Sequence, residues 1–175
     1  NELTLEDRKR LAYKAFSTTA RYDALISTYF ANEVGDKYSE ILNLTFQKEQ
    51  TLRYGENPHQ AGILYSQPNA KNPILNYEQL NGKELSFNNI NDLHGCLEVM
   101  REFKDSEEVV SVAIKHTNPC GVGIGANALE AYTKCYEADT VSIFGGIVGI
   151  TSTVDVETAK KLNEIFLEIV VAYDF

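Results

Sequence analysis

Two short segments combine residue types that suit an anionic ligand with proton transfer beside it. The arginine segment is Leu52-Arg53-Tyr54-Gly55-Glu56-Asn57-Pro58-His59-Gln60, and the lysine segment is Ile114-Lys115-His116-Thr117-Asn118-Pro119-Cys120-Gly121. Each brings a cation, a histidine, an Asn-Pro step and a glycine together. Proline lacks a backbone N–H and clashes with the preceding helical turn, so neither segment suits a helix interior. We expect both on loops or at the ends of elements, where catalytic groups concentrate.

The lysine segment carries the residues best suited to proton transfer. A histidine takes up and releases protons near neutral pH, and His116 directly follows a lysine. The Lys115 ammonium would favour the neutral, basic imidazole and could stabilise negative charge on a substrate. We therefore interpret His116 as catalytic, the alternative being a histidine with a purely structural role.

The arginine segment suits binding of a phosphate or a carboxylate. Gly55 and Asn57-Pro58 predict a tight turn, which would aim the planar fork of Arg53 at such a group. The alternative is a surface arginine beside a packed Tyr54. For His59 the residues leave two interpretations open, a second ligand contact or a side chain that stabilises the turn.

Two other patterns resemble cofactor motifs without matching them. Gly121-Val122-Gly123-Ile124-Gly125 precedes a predicted helix but fits neither GxGxxG nor the P-loop, so we expect close backbone approach rather than nucleotide-cofactor binding. Pro119-Cys120 resembles half of a deaminase zinc motif, but residue 123 is glycine and no HxE precedes it, so no metal site is expected. We interpret Cys96, Cys120 and Cys135 as reduced, mostly buried thiols of a cytosolic protein.

Length and charge exclude several classes of protein. The chain has 175 residues, 43% of them apolar, which suits one domain or a large piece of one. A net charge of −9 disfavours non-specific binding of nucleic acid. No apolar run approaches the roughly 20 residues of a membrane span, and the polar start is unlike a signal peptide. Because Asn1 is not an initiator residue and an apolar run lies at the very end, we expect a piece of a longer chain.

The first half of the chain predicts a helix followed by short strands. Residues 4–33 have helical periodicity, with Thr4 as a cap and Asp7 completing a capping box. Residues 40–52 alternate as in a strand. Residues 54–82 are expected to be irregular, with a short strand near 63–65 and a turn at Asn81-Gly82.

The second half predicts alternating strands and helices. We expect a helix capped by Asn88 or Asn89 and ending near Phe103. The remaining predictions are strands at 109–114, 141–150 (broken at Gly145-Gly146) and 169–172, with helices at 127–139 and 155–166. This β-α-β-α-β order favours a parallel or mixed sheet covered by helices. Ligands bind at the carboxyl ends of strands in such sheets, where Lys115 and Gly145 would both lie.

Five motifs spread along the chain carry a resemblance to a known family. Besides the arginine segment and Lys115 to Gly123, they are ARYDALIS from Ala20, LNGKELSFNNI from Leu80 and SIFGG from Ser142. The chain resembles the bifunctional phosphoribosylaminoimidazolecarboxamide (AICAR) formyltransferase / IMP cyclohydrolase family. The resemblance implies formyl transfer from 10-formyltetrahydrofolate to the 5-amino group of AICAR ribotide in purine biosynthesis, with no metal required.

The resemblance also implies roles for individual residues. His116 would assist proton removal from the amine, and Lys115 would stabilise the transition state. The implied substrate-binding residues are Arg53, Tyr54, Gly145, Glu168, His59 and Asn118. The alternative that we keep open is a non-catalytic purine-nucleotide-binding module, which would share the nucleotide contacts but not depend on His116.

The resemblance implies the architecture and assembly as well. It predicts an α/β fold, a cytidine-deaminase-like three-layer unit with a mixed sheet and helices on both faces. Residues 1–38 would be a helical tail from the cyclohydrolase domain, and 39–175 the N-terminal portion of the transformylase domain. The family implies a cytoplasmic homodimer with shared active sites, so we expect this piece to be inactive alone.

Overall fold

The chain forms two compact units, which are described separately. The computed structural model describes residues 3–68 and 76–175, so part of the predicted irregular stretch, at 69–75, lies outside the described residues. The first unit holds the chain up to Gln50 and a segment that begins at Leu64. The second unit holds Thr51–Ile63 and the described residues from Asn76 onward. Both the arginine segment and the lysine segment belong to the second unit.

The first unit is dominated by one long helix, α1, at Leu5–Glu33. Its predicted capping box is confirmed, because Thr4 accepts from the backbone N–H of Asp7 and the Asp7 carboxylate accepts from that of Thr4. Gly35 follows in the left-handed region, at φ 69°. None of the residues of α1 is buried.

Two short strands, β1 at Gln47–Leu52 and β2 at Gly62–Ser66, pair as a two-stranded sheet. The short strand predicted near 63–65 is confirmed as β2. The strand predicted at 40–52 was too long, because residues 40–46 are not in a strand. The apolar side chains behind that prediction, Ile41 and Leu44 among them, are exposed and have no core face to pack on.

In the second unit, helix α2 spans Phe87–Glu102 and begins earlier than predicted. Its N-cap is Ser86, not Asn88 or Asn89. The Ser86 hydroxyl accepts from the backbone N–H of Asn89, and the Asn89 side chain accepts from that of Ser86. Asn89 is therefore the third helical residue of a capping box, a position usually occupied by glutamate or glutamine.

The strand predicted at 109–114 is confirmed as β3, at Val109–Lys115, and it is followed by a strand that the sequence did not predict. This strand, β4, spans Asn118–Gly125 and forms a hairpin with β3. Pro119 and three glycines argued against a strand. Because β4 lies at the edge of the sheet, a missing backbone N–H at Pro119 is tolerated.

The glycines of β4 allow a helix to pack directly on its backbone. A Cβ atom on Gly121 would overlap the carbonyl oxygen of Cys135, and one on Gly123 would overlap that of Ala131. Both carbonyls belong to helix α3, at Ala128–Ala138, which has Asn127 as its N-cap. The helix predicted at 127–139 is thus confirmed to within one residue at each end. The expectation of close backbone approach at this glycine run is confirmed.

The remaining elements are β5 at Ile147–Thr153, helix α4 at Val156–Leu162 and β6 at Ile169–Asp174. Strand β5 therefore begins six residues later than the strand predicted at 141–150. Residues 140–145 form a turn instead, because Gly145 adopts φ 66°. The predicted helix at 155–166 is also shorter, since Asn163 ends it. The strand predicted at 169–172 is confirmed.

The four-stranded sheet has the order β4-β3-β5-β6 and is mixed, as expected. Strand β3 is antiparallel to both of its neighbours, and only β5 and β6 are parallel. Val110, Val112 and Ile114 point to α2, whereas Ala113 on the same strand points to α3 and α4. The α/β class with helices on both faces is thus confirmed, and the cytidine-deaminase-like assignment stays a prediction.

Candidate active site

The end of β3 and the beginning of β5 meet at one edge of the sheet. Lys115, the last residue of β3, donates from Nζ to the carbonyl oxygens of Phe144 and Gly145, at 3.0 and 2.9 Å. A Cβ atom on Gly145 would lie 3.0 Å from that ammonium, so a side chain there would crowd it. Lys115 and Gly145 meet because β3 and β5 are antiparallel, so that the end of β3 lies beside the beginning of β5. The expectation that both residues follow the carboxyl ends of strands is wrong for Gly145.

The turn before β5 is held in shape from both sides. The backbone N–H of Gly145 donates to the carbonyl of Phe166, and Asp139 accepts from the N–H groups of Val141 and Ser142. Hydrogen bonds from Ser142 hold the pKa of the Asp139 carboxyl below its usual range. Gly145 is therefore fixed at the left-handed conformation that lets its carbonyl oxygen contact Lys115.

His116 lies in the two-residue turn that joins β3 to β4. Its φ is 51°, and that of the following Thr117 is 63°, so both residues adopt the left-handed conformation that non-glycine residues rarely adopt. The His116 carbonyl accepts from the side chains of Thr117 and Asn118, at 2.6 and 2.8 Å. The His116 side chain is exposed to solvent beside the partly buried Lys115.

A bulge adjoins this turn. On β3, Ala113 and Ile114 are consecutive, but their partners on β4 are Gly121 and Pro119, so Cys120 is an additional residue. Bulges increase local twist and re-aim neighbouring side chains, and they are frequent beside active sites. Cys120 is half-buried, and burial raises the pKa of its thiol.

The arginine segment forms a turn closed mainly by its own atoms, with one further hydrogen bond from the Asn88 side chain of α2 to the carbonyl of Glu56, at 3.1 Å. The Gly55 N–H donates to the carbonyl of Gln60, whose own N–H donates to the carbonyl of Asn57. The guanidinium of Arg53 lies over the Tyr54 ring, 4.9 Å from its centroid. His59 is exposed in this turn.

Hydrogen bonds connect the arginine segment to the lysine segment through the start of α2. The Arg53 N–H donates to the carbonyl of Leu85, and the Phe87 N–H donates to the carbonyl of Tyr54. Two residues further on, the buried Asn89 donates from its side chain to Glu168, at 2.6 Å. The Glu168 N–H in turn donates to the carbonyl of Gly146, beside the residue that holds Lys115.

The hydrogen bonds between the arginine segment, α2, Glu168 and the Gly145 turn bring together all of the predicted site residues except His59. Arg53, Tyr54, Lys115, Gly145 and Glu168 take part directly, and His116 and Asn118 share the adjoining turn, whereas His59 lies on the separate arginine-segment turn. Sequence reasoning missed two polar residues of α2, Asn89 and Asp92. Their signal was the i, i+3 spacing of polar side chains on one helical face.

Within residues 3–68 and 76–175, no group of three or more histidine, cysteine, aspartate or glutamate residues could hold a metal ion. The three thiols are free, with Cys96 and Cys135 buried. Burial raises the pKa of Cys96 to about 12 and that of Cys135 to about 11. Two of the three thiols are therefore packing groups of the two core layers.

Comparison with known proteins identifies the family. The family model of the AICARFT/IMPCHase bienzyme matches residues 1–175. The chain is similar to the bifunctional purine biosynthesis protein PurH of Clostridioides difficile, with 86% identity over 173 residues, 99% of this chain and 34% of that protein. The PurH proteins of Halalkalibacterium halodurans and Bacillus mycoides are 54% and 53% identical, over 97% and 99% of this chain. The chain belongs to the AICARFT/IMPCHase bienzyme family.

The chain spans about a third of the length of the curated relatives that it matches. None of the helices in the described part of the chain has the length and apolar character that crossing a bilayer requires.

Proposed function

We propose that this chain carries the proton-transfer residues and part of the nucleotide site of an AICAR formyltransferase. The protein that contains it would transfer the formyl group of 10-formyltetrahydrofolate to the 5-amino group of AICAR ribotide. That protein would also cyclise the product to IMP. The relatives that match the chain are named as bifunctional purine biosynthesis proteins, which supports this proposal.

One observation carries the assignment of the site. The backbone of the arginine segment, the start of α2, Glu168 and the turn that holds Lys115 form one connected set of hydrogen bonds. A cation suited to a phosphate and a lysine-histidine pair suited to acyl transfer are thereby fixed to the same framework.

The chemical difficulty of this reaction is a weak nucleophile. The lone pair of the 5-amino group is delocalised into the imidazole ring and its carboxamide. In the proposed reaction the amine nitrogen attacks the formyl carbon while His116 removes a proton from the nitrogen. The tetrahedral oxyanion that forms is stabilised by the Lys115 ammonium. As the oxyanion collapses, the bond to the tetrahydrofolate nitrogen breaks and that nitrogen takes up the proton from the His116 imidazolium, which restores the neutral histidine.

The proposed nucleotide contacts come from both segments. Arg53 and Tyr54 would bind the ribotide phosphate, for which a guanidinium fork has the matching geometry. Glu168, which directly precedes β6, would contact the nucleotide. The backbone of Gly145, which has no side chain, would allow the nucleotide to approach Lys115. His59 and Asn118 are proposed as further contacts with the substrate.

We also propose a cytoplasmic homodimer with shared active sites and no role in nucleic-acid or membrane binding. A shared site needs residues from outside this chain, so the 175 residues alone are expected to show no formyl transfer. The domain boundary proposed near residue 38 places α1 with the cyclohydrolase part of the protein.

The decisive experiment uses the full-length protein that carries this sequence. His116→Ala should lower the rate of tetrahydrofolate release by at least about 100-fold, since general acid–base catalysis contributes factors of 10² to 10⁴. AICAR affinity, measured by calorimetry, should change by less than about threefold because His116 is not proposed to hold the phosphate. His94→Ala, which changes an exposed histidine of α2, is the matched control and should retain wild-type turnover.

The other outcomes separate the two functions under consideration. Near wild-type turnover of His116→Ala would remove this residue from the mechanism. A full-length protein that binds AICAR but releases no tetrahydrofolate would favour the nucleotide-binding module. Measurable formyl transfer by the isolated 175 residues would contradict the expectation of an incomplete site.

A further inference from the structure

The turn that presents His116 has a conformation that its residues do not favour. Two-residue hairpin turns with positive φ at both positions normally contain Asn-Gly or a similar pair. Here the pair is His116-Thr117, with φ values of 51° and 63°. A β-branched residue such as Thr117 is a marked outlier in this region, so the surrounding structure must hold the turn in place.

One contact from outside the hairpin meets this turn at its most strained residue. The ladder pairs Lys115 with Asn118, which leaves the backbone N–H of Thr117 without a partner across the strands. Asp92 supplies one, because its Oδ1 atom accepts from this N–H at 2.8 Å. Charge-assisted hydrogen bonds of this kind are about twice as strong as neutral ones.

Asp92 is itself held rigidly. It lies in the middle of α2, next to Leu93, and one turn before Cys96, both of which are buried against β3. The same face of α2 packs on the turn at Gly95, where a Cβ atom would lie 3.5 Å from the carbonyl oxygen of Thr117, an ordinary van der Waals distance. The carboxylate is therefore presented to the turn from a fixed surface rather than from a loop.

We propose that Asp92 is a positioning residue for the proton transfer assigned to His116. It holds the Thr117 amide, and through it the left-handed backbone from which the His116 side chain projects. This inference rests on the proposed function for its catalytic consequence. Asp92 does not touch the reacting atoms and acts only through the conformation of the turn.

The proposal predicts a characteristic pattern among three variants of the full-length protein. Asp92→Ala removes the acceptor and should lower kcat by about tenfold or more, which corresponds to about 1.4 kcal/mol or more in the activation free energy. KM for AICAR should change by less than about threefold. Asp92→Asn keeps an acceptor oxygen and should retain kcat within about threefold of wild type. Thr117→Gly in the Asp92→Ala background should restore most of the lost kcat, because glycine favours the left-handed conformation.

A structural readout and a matched control complete the experiment. Hydrogen exchange at the Thr117 amide should be faster in Asp92→Ala than in wild type, whether or not the protein transfers formyl groups. Asp105→Ala changes an exposed aspartate after α2 and should alter neither exchange at Thr117 nor kcat. If the wild-type protein has no formyltransferase activity, the proposed function fails, while the exchange data still test the contact.

Three results would overturn the inference. The first is unchanged kcat or unchanged Thr117 exchange in Asp92→Ala. The second is an equal loss of kcat in Asp92→Ala and Asp92→Asn, which would assign the effect to charge. The third is no recovery on Thr117→Gly, which would assign it to a direct contact with substrate.

Discussion

The arginine segment and the lysine segment have similar compositions but are stabilised in different ways. Each contains a cation, an Asn-Pro step, a histidine and a glycine. In the first, hydrogen bonds among its own residues close the Asn57-Pro58 turn, and the Asn88 side chain of α2 adds one bond to the carbonyl of Glu56. In the second, Asn118-Pro119 begins an edge strand, and the turn before it is held by Asp92 from another element.

This difference separates binding from catalysis in the proposed site. A turn closed mainly by its own atoms depends less on the elements around it, which suits a group that only has to reach a phosphate. A turn held from outside takes its geometry from the packed helix, so the histidine on it is placed by the core of the unit. The two segments show that similar residue types can form a turn that depends little on the rest of the fold or one that depends on it strongly.

The largest expected contrast comes from the glycine of each segment. Gly121→Ala would place a Cβ atom on the backbone carbonyl of Cys135, which cannot move unless α3 shifts, so we expect a loss of about 2–3 kcal/mol in the free energy of unfolding. Gly55→Ala meets the Cβ of Gln60 at 3.0 Å and the carbonyl oxygen of Ala61 at 3.1 Å, contacts that small shifts relieve, and should cost about 1 kcal/mol. Chemical denaturation of the two full-length variants measures both.

Equal losses for the two alanine variants would break the comparison, since both segments would then depend equally on packing. Val122→Ala, on the exposed side of β4 between the tightly packed glycines, serves as the control for substitution in this strand.

A smaller effect tests the self-closed turn. Gln60→Ala removes the side-chain oxygen that accepts from the Asn57 N–H at 2.8 Å, and should cost about 1 kcal/mol, the typical net value of one hydrogen bond. Hydrogen exchange should become faster at Asn57 and remain unchanged at Thr117. Faster exchange at both amides would show that the two turns are coupled rather than independent.

The smallest effect tests the strain in the lysine segment. Thr117→Gly in the otherwise wild-type protein should raise the free energy of unfolding by up to about 0.5 kcal/mol, because relief of the left-handed threonine slightly exceeds the entropy that glycine loses. Thr140→Gly, at an exposed turn position, should instead lower it. Destabilisation by both variants to the same extent would show that the turn stores no strain.

The fold was largely predictable from local patterns, and its errors have physical causes. A capping box located α1, and a buried apolar run located β3. The sequence did not predict β4, because proline and alternating glycines oppose strand formation locally. Tertiary packing reverses this preference here: the glycines of β4 let α3 approach, and the edge position tolerates Pro119.

The candidate site was predictable in its residue types but not in its connections. The spacing of Lys115 and His116 pointed to proton transfer, and the resemblance supplied Glu168. That Asn89 bonds to Glu168 and Asp92 bonds to Thr117 follows from long-range packing of α2 on β3, which no local pattern reports. The same packing explains why the two segments are connected although 60 residues lie between Arg53 and Ile114 in the sequence.

The two carbonyl contacts of Lys115 have a consequence for the symmetry of its charge. A free ammonium rotates about its Cε–Nζ bond and behaves as a point charge that attracts equally in all directions. Donation to the carbonyls of Phe144 and Gly145 stops this rotation and occupies two of the three N–H vectors. The third vector then has a single direction, so the lysine acquires the orientational selectivity that an arginine fork usually provides.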